Sequence, residues 1–330
     1  MKLCVYGAGA IGGYLAVELA LSGQEVCVIA RGAHLEAIRT RGLTLRIQGQ
    51  EKIARVPADA DPRVFGPQDG VICALKAHQA FQSAPHFAAL LGPNTWMVTA
   101  MNGIPWWYFH KTGGRFEGRY LQSVDPQGRQ WNLIGPQRAI GCVVEPACEV
   151  VAPGVIAHHQ FNRFILGEPD GSRTTRILEL SAVLTKAGFD APVRDNIRWN
   201  IWLKLWGNVC FNPISALTGA TLARMIGDAD LRALCKAMMQ ETKSVNEALD
   251  VHIPADMMDR RLAGAAAAGE HKMSMLQDLE RGRSLEIDAL VGAVQELGRL
   301  VQVNTPVIDA VAALIKERAR AAGLYTEPTT

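Results

Sequence analysis

The hexapeptide Gly7-Ala8-Gly9-Ala10-Ile11-Gly12 stands directly behind an apolar, strand-like run, Lys2–Tyr6, and opens a helix-like one, Ile11–Ser22. Few short segments restrict a fold as much. Gly7 permits a tight turn, Gly9 lets the backbone come close to a diphosphate, and Gly12 allows the helix to pack closely on the strand. The first turn of the helix then aims unbonded amides and the positive end of its dipole at the glycine turn. In this strand–turn–helix context the motif points to a dinucleotide site rather than to a bare glycine turn.

The rest of the first half continues in kind. Strand-like runs at Glu25–Ala30, Leu43–Ile47, Gly70–Leu75, Thr95–Met101 and Ala139–Glu145 alternate with helical patterns at His34–Thr40 and His78–Leu91. Continuous apolar strands separated by helices predict a parallel sheet covered on both faces. Val155–His158 and Arg163–Leu166 read as a terminal hairpin-like pair. Beyond about Asp190 the strand patterns stop, and helical periodicity runs through Asn196–Phe211, Leu231–Leu249, Ala255–Arg261, Ser284–Leu300 and Pro306–Ala322. Thr305 is the expected N-cap of the last helix, with Pro306 at its first position. The expectation is an α/β chain: an N-terminal Rossmann-type parallel-sheet domain, residues 1–194, then an all-α helical domain, residues 195–330. The linker falls near 191–194, and the tail 326–330 is expected to fray.

Composition removes several alternatives. The net charge is +2, with no basic block to meet phosphates along a nucleic acid. No apolar stretch is long enough for a bilayer. The seven cysteines include no CxxC pair, and no His/Cys cluster suits a metal. Cys4, Cys27 and Cys73 sit in apolar runs, which fits a reducing, cytoplasmic setting better than a disulfide framework.

Arg31 follows the second strand, nineteen residues after Gly12, where an NAD site would usually carry Asp or Glu for the ribose hydroxyls. A planar, permanently charged guanidinium suits a 2′-phosphate, so the expected cofactor is NADP(H). Lys76 and Asn102 follow later strands, at the carboxyl edge where open α/β sheets bind ligands. Lys76 can reach a cofactor phosphate or ribose; Asn102, followed by Gly103, can instead be an ordinary turn.

The helix after the linker carries Asn196, Asn200, Lys204, Asn208 and Asn212 at intervals of four among tryptophans and aliphatics. Successive members drift by only about 40°, so Lys204, Asn208 and Asn212 form a narrow polar stripe on an apolar helix. Desolvation lowers the pKa of a lysine so placed and makes it a usable proton donor. Pro213 is expected to end this helix. Downstream, His271–Asp288 reads, on its own, as charged helix–turn–helix surface.

Together these residues resemble the ketopantoate reductase (2-dehydropantoate 2-reductase) family. The resemblance covers most of the chain: the glycine motif with Arg31, Leu75-Lys76-Ala77, Asn102-Gly103, Trp202-x-Lys204-Leu205-x-x-Asn208-x-x-x-Asn212-Pro213, Ser274-Met275-Leu276-Gln277-Asp278 and Glu286-Ile287-Asp288. It implies NADPH-dependent reduction of a 2-oxo acid, 2-dehydropantoate to pantoate in pantothenate biosynthesis. By position it implies Lys204 as catalytic acid with Glu286 as its partner, and Ser274 on the substrate carboxylate. Asn208 and Asn212 would hold other substrate oxygens. Asn102 would touch substrate and nicotinamide ribose, while Arg31, Lys76 and residues 7–12 would hold the cofactor.

One stretch departs from the family. The connection from Ile104 to about Arg138, with Trp106 and Trp107, is longer than usual and is expected to shape the substrate pocket or act as a functional loop. The competing readings are a reductase of another branched or aromatic 2-oxo acid and a non-catalytic NADP-binding redox sensor. A homodimer is left open.

Overall fold

The structure, a computed structural model, describes residues 1–325. The tail 326–330, expected to fray, lies outside the described residues. The chain divides into two compact units: residues 1–120 with 128–197, and residues 121–127 with 198–330.

The first unit is built on strands β1 (Lys2–Tyr6), β2 (Glu25–Ile29), β3 (Leu43–Ile47), β4 (Gln50–Ala54), β5 (Ala58–Asp59), β6 (Gln68–Cys73), β7 (Leu91–Thr99), β8 (Ala139–Val144), β9 (Ala147–Ala152), β10 (Val155–Gln160) and β11 (Phe164–Gly167). The larger sheet has the order β11-β8-β7-β6-β1-β2-β5. Its pairings from β8 to β5 are parallel, and β11 adds an antiparallel edge. Helices α1 (Ala10–Leu21), α2 (Gly32–Arg41), α3 (Ala77–Phe87), α4 (Arg129–Ile134) and α5 (Thr175–Lys186) also belong to this unit. The chain runs from β1 to β2 on one side and reaches β6 on the other. The switch point beside β1 is where such sheets open a crevice at their carboxyl ends. Gly70 is forced by this packing: a Cβ there would sit 2.2 Å from the Trp96 ring.

Val155–His158 and Arg163–Leu166 do not pair with each other. β10 joins β9, β3 and β4 in a second sheet, order β4-β3-β10-β9, while β11 goes to the edge of the large one. The sequence explains the separation after the fact. β10 is buried at Ile156 but wet along most of its length, whereas Phe164, Ile165 and Leu166 are all buried. A two-faced apolar strand belongs in a covered sheet; a half-wet one belongs in an open antiparallel sheet. Phe161 between them has φ +60°, which breaks the run.

The second unit contains α6 (Ile197–Thr218), α7 (Leu222–Gly227), α8 (Ala229–Ala248), α9 (Asp256–Ala267), α10 (Ser274–Glu280), α11 (Ala293–Val301) and α12 (Pro306–Ala321). Two expectations need correction. Helix α6 does not stop at Pro213 but continues to Thr218. Val209, Cys210, Ile214 and Ser215, on either side of the proline, are all buried, and tertiary burial of that kind overrides the local cost of a missing N–H. Helical structure does not begin at Ser284 either. A single π-helical turn, Asp288–Gly292, precedes α11, directly after Glu286 and Ile287.

Pro306 does open α12, but Thr305 makes no side-chain cap bond to it. The Glu241 carboxylate, on α8, accepts the amides of Val307 and Ile308 at 2.9 Å each. An anion at a helix start also meets the dipole favourably.

The long connection after Gly103 is part of the packed interior. Trp106, Trp107, Tyr108 and Phe109 are each at most 2 % exposed. The Trp107 indole donates to Thr99 Oγ1 at 3.1 Å, and the Arg129 guanidinium lies 5.4 Å from the centre of the Phe81 ring, on α3. Arg138 donates to the carbonyls of Gly92 and Thr95. The short stretch Leu121–Gln127 belongs instead to the helical unit. There the Glu296 carboxylate on α11 accepts the amides of Gln122 and Ser123 at 2.8 Å each.

Candidate active site

The first unit presents a cavity of about 410 Å³ under the glycine turn, lined by Gly7, Ala8 and Gly9, by Ile29–Arg31 and His34, and by Tyr6, Leu75 and one face of α3. Gly7 has φ +98°. A Cβ on Gly12 would come within 2.0 Å of the Gly7 carbonyl oxygen, while a Cβ on Gly9 would meet nothing within 4 Å. The three glycines therefore do separate jobs: turn, open approach and tight contact. Ala10, Ile11 and Gly12 open α1 behind the turn, and Gly9 caps that helix without a side-chain bond. Its first amides thus have no side-chain acceptor, which suits an anionic ligand.

His34 fixes the turn from outside. The Gly154 amide donates to its Nδ1 at 3.0 Å, so the neutral ring carries its proton on Nε2 and donates to the Ala8 carbonyl at 2.6 Å. Arg31 follows β2 at the N-cap position of α2. Among the described residues lining the cavity it is the one Lys or Arg, and no Asp or Glu joins it. Lys76 stands at the N-cap of α3, and Asn102 lies in the bend after β7, the strand next to β6. Both sit at the carboxyl ends of neighbouring strands, as the sequence suggested.

In the second unit, α6 is buried through Trp202, Trp206 and Val209. The Trp206 indole donates to Asn246 Oδ1 at 2.8 Å, which fixes the helix against α8. Along the polar stripe, Lys204 is half-buried, Asn208 is 9 % exposed and Asn212 is 1 % exposed. Ser274, the first residue of α10, donates to Asn212 Oδ1 at 3.3 Å. That leaves Asn212 Nδ2 buried and without a partner. One buried donor, the Asn212 amide nitrogen, is thus left open at the end of the stripe. Arg261 donates to the Lys204 carbonyl at 3.1 Å and steadies the backbone at this turn. Glu286 is half-buried and lies two residues before the π-helical segment, a distortion that recurs at functional sites.

Sequence reasoning passed over Tyr6, His34, Gln79, Gln82, Ser83 and His86, all of which line the cofactor cavity. The α3 residues had a signal: Gln79, Ser83 and His86 recur at helical spacing after Lys76. Tyr6 and His34 had none that separates them from core and surface residues.

The chain matches the family described as Ketopantoate reductase PanE/ApbA over residues 3–171 and that family's C-terminal part over residues 196–319. It is 55 % identical over 327 residues to the 2-dehydropantoate 2-reductase of Mesorhizobium japonicum, covering 99 % of this chain and 100 % of the relative. Among solved structures, a candidate ketopantoate reductase from Ralstonia solanacearum MolK2 superposes with a TM-score of 0.94 at 42 % identity, covering 98 % of this chain and 99 % of that one. The 2-dehydropantoate 2-reductase of Geobacter metallireducens GS-15 superposes with a TM-score of 0.85 at 27 % identity, covering 96 % of this chain and 100 % of that one. Among the described residues no helix is long and apolar enough to cross a membrane.

Proposed function

From the premise that this chain belongs to the ketopantoate reductase family, we propose that it reduces 2-dehydropantoate to pantoate with NADPH, using Lys204 as proton donor and Glu286 as its partner. The enzyme is an NADP-dependent oxidoreductase of the pantothenate route. The observation that carries the site assignment is the Lys204–Asn208–Asn212 stripe, ending in a buried amide nitrogen left for a ligand oxygen.

The first unit fits the cofactor. Gly9 leaves room for a diphosphate, the uncapped start of α1 offers amides, and Arg31 sits in a carboxylate-free cavity. Gly7–Gly12, Arg31, Lys76 and Asn102 are the residues that hold NADP(H). When bound, the cofactor supplies the hydride.

The chain's own residues do the rest. Asn208, Asn212 and Ser274 hold the oxygens of the 2-oxo acid, with Ser274 on the carboxylate. Lys204 Nζ stabilises the negative charge that develops on the ketone oxygen and delivers a proton to it. Glu286 accepts from the substrate hydroxyl and keeps the ammonium oriented. Asn102 contacts substrate and ribose together.

The assignment is tested by following NADPH oxidation against a panel of 2-oxo acids. The expected result is the highest kcat/KM with 2-dehydropantoate. A higher value with an aromatic or unbranched 2-oxo acid overturns the substrate, and no turnover with any of them overturns the enzyme. The dimeric ketopantoate reductase of Staphylococcus aureus makes a homodimer the assembly to look for.

A further inference from the structure

Glu286 sits on a stretch, residues 283–286, that belongs to neither helix nor strand. Its neighbours Leu285 and Ile287 are buried, while Glu286 itself is half-buried. What holds this stretch comes from the far end of α12. That helix closes with a glycine turn: Gly323 has φ +68°, its amide donates to the Arg320 carbonyl at 2.9 Å, and the Leu324 amide donates to the Ala319 carbonyl at 2.8 Å. This paired closure reverses the chain direction. The Leu324 carbonyl then accepts the Leu285 amide at 3.2 Å. One residue on, the Tyr325 hydroxyl donates to Asp288 Oδ1 at 3.0 Å, and Lys316 Nζ, on α12, lies 3.3 Å from the same oxygen. The Tyr325 ring rests beside the Lys316 and Arg320 cations, which lie 5.8 and 5.4 Å from its centre.

We infer that Tyr325 and Lys316 are positioning residues for Glu286: they hold Asp288 and, with the Leu285–Leu324 bond, clamp the Glu286 segment on both sides, so that its carboxylate is presented to the reaction in one place. They act through Glu286 and not on the substrate. The inference rests on the assignment of Glu286 as the partner of Lys204 and deepens it.

The physical case has three steps. A carboxylate that accepts from a reacting hydroxyl has to be placed to within about 0.5 Å. A segment without helix or ladder bonds does not fix its own backbone angles, so the placement has to come from outside it. The tethers bracket the residue: Leu285 is bonded immediately before Glu286, and Asp288 is held two residues after it, at the start of the π-helical turn. The second tether is also the stronger kind. The Asp288 carboxylate accepts from a phenol and faces an ammonium, and bonds to an ionised group are shorter and stronger than neutral ones. Lys316 offsets the negative charge of Asp288 as well, so the anchor adds little repulsion beside a second carboxylate. Finally, the phenol is carried on a rigid ring seated against two cations, so the hydroxyl is a fixed point and not a mobile one.

The test reads the chemical step as the single-turnover rate of NADPH oxidation by the full chain with saturating 2-dehydropantoate. Tyr325→Phe keeps the ring and removes only the hydroxyl. It is expected to slow that rate by about tenfold, since misplacing a reacting group by a fraction of its diameter costs up to about a hundredfold. The KM for 2-dehydropantoate and the dissociation constant for NADPH are expected to stay within about twofold of wild type, because neither ligand touches the tethers. Lys316→Met, which keeps most of the stem, is expected to act in the same direction. In a Glu286→Gln background, itself slow, adding Tyr325→Phe is expected to change the rate by less than about twofold, because no carboxylate is left to misplace.

A Tyr325→Phe protein with the wild-type rate overturns the inference. So does one that is slowed by the same factor with and without Glu286, because that would be a general loosening of the helical unit. Glu286→Gln at the wild-type rate overturns the role of Glu286 and the inference with it, whereas a slow Glu286→Gln beside an unimpaired Tyr325→Phe overturns the inference alone. Should Tyr325→Phe fold poorly, Lys316→Met decides: an unchanged rate there also overturns the clamp.

Discussion

Ser274 Oγ donates to Asn212 Oδ1 at 3.3 Å, joining the start of α10 to the polar stripe of α6 across 62 residues of sequence. The bond fixes which way the Asn212 amide points, and its buried nitrogen is left with no protein acceptor. A buried donor without an acceptor is costly unless a ligand completes it. Asn212→Asp replaces that donor with an acceptor and adds negative charge. We expect it to raise KM for the 2-oxo acid by at least about tenfold, while the dissociation constant for NADPH stays within about twofold. Steady-state kinetics paired with fluorescence titration of NADPH would expose the opposite pattern, which would remove Asn212 from the substrate site.

Lys204→Ala is expected to lower kcat by about a hundredfold or more, with little change in NADPH affinity. Glu286→Ala should also slow turnover, and the double variant should fall short of the product of the two if they serve one transition-state contact. Lys204→Arg is more discriminating. It preserves charge but cannot readily release a proton near neutrality. Near-wild-type turnover by that variant would leave Lys204 a purely electrostatic role.

Much of this is legible in the sequence itself. The glycine turn, α1, Arg31 and the asparagine stripe each express a local rule: a fixed spacing, a strand end or a helical period. What was not legible depends on partners remote in the chain. Tyr6 and Phe87 meet only because β1 pairs with β6, the strand that leads into α3. The N-terminus of α12 was read correctly at Pro306 but credited to Thr305, while its amides go to Glu241, 66 residues earlier. Pro213 misled because its local effect is real but is overruled by the burial of Ile214 and Ser215. The paired tryptophans suggested a pocket wall. Trp107 is instead closed within the first unit and bonded to Thr99, which sequence spacing cannot reveal.

Glu241→Ala should destabilise the protein by about 1–2 kcal/mol, since it strips two amides at a helix start of a charged acceptor. Urea unfolding would show this as a lower midpoint with an unchanged slope. Thr305→Ala, by contrast, should cost less than Glu241→Ala, because Thr305 makes no cap bond to α12. The reverse ranking would mean that the threonine is the true cap.

Lys111 donates to Asp170 at 2.7 Å, and with Ser172 it holds the Asp170 carboxyl well below the usual carboxylate range. A folded-state pKa below the unfolded one means that the charged form favours folding. That contribution is present above the ordinary carboxylate pKa and fades as the pH falls below about 4. The pair is partly exposed, so Asp170→Asn should cost under about 1 kcal/mol at pH 7. Urea midpoints of wild type and variant should converge as the solution is acidified. A gap that widens instead would give the pair the wrong sign.

The seven residues Leu121–Gln127 make the helical unit discontinuous along the gene. A fragment beginning at residue 198 contains Glu296 but not the two amides that its carboxylate holds. Such a piece should be insoluble or loosely folded when expressed by itself, and it should be rescued by a peptide spanning 121–127 supplied in trans. Recombination between relatives faces the same constraint. A crossover placed at the obvious boundary severs a cofactor half from its helical half, yet leaves part of the second stranded in the first. Hybrids will be viable when Glu296 and its seven-residue segment are inherited from the same parent.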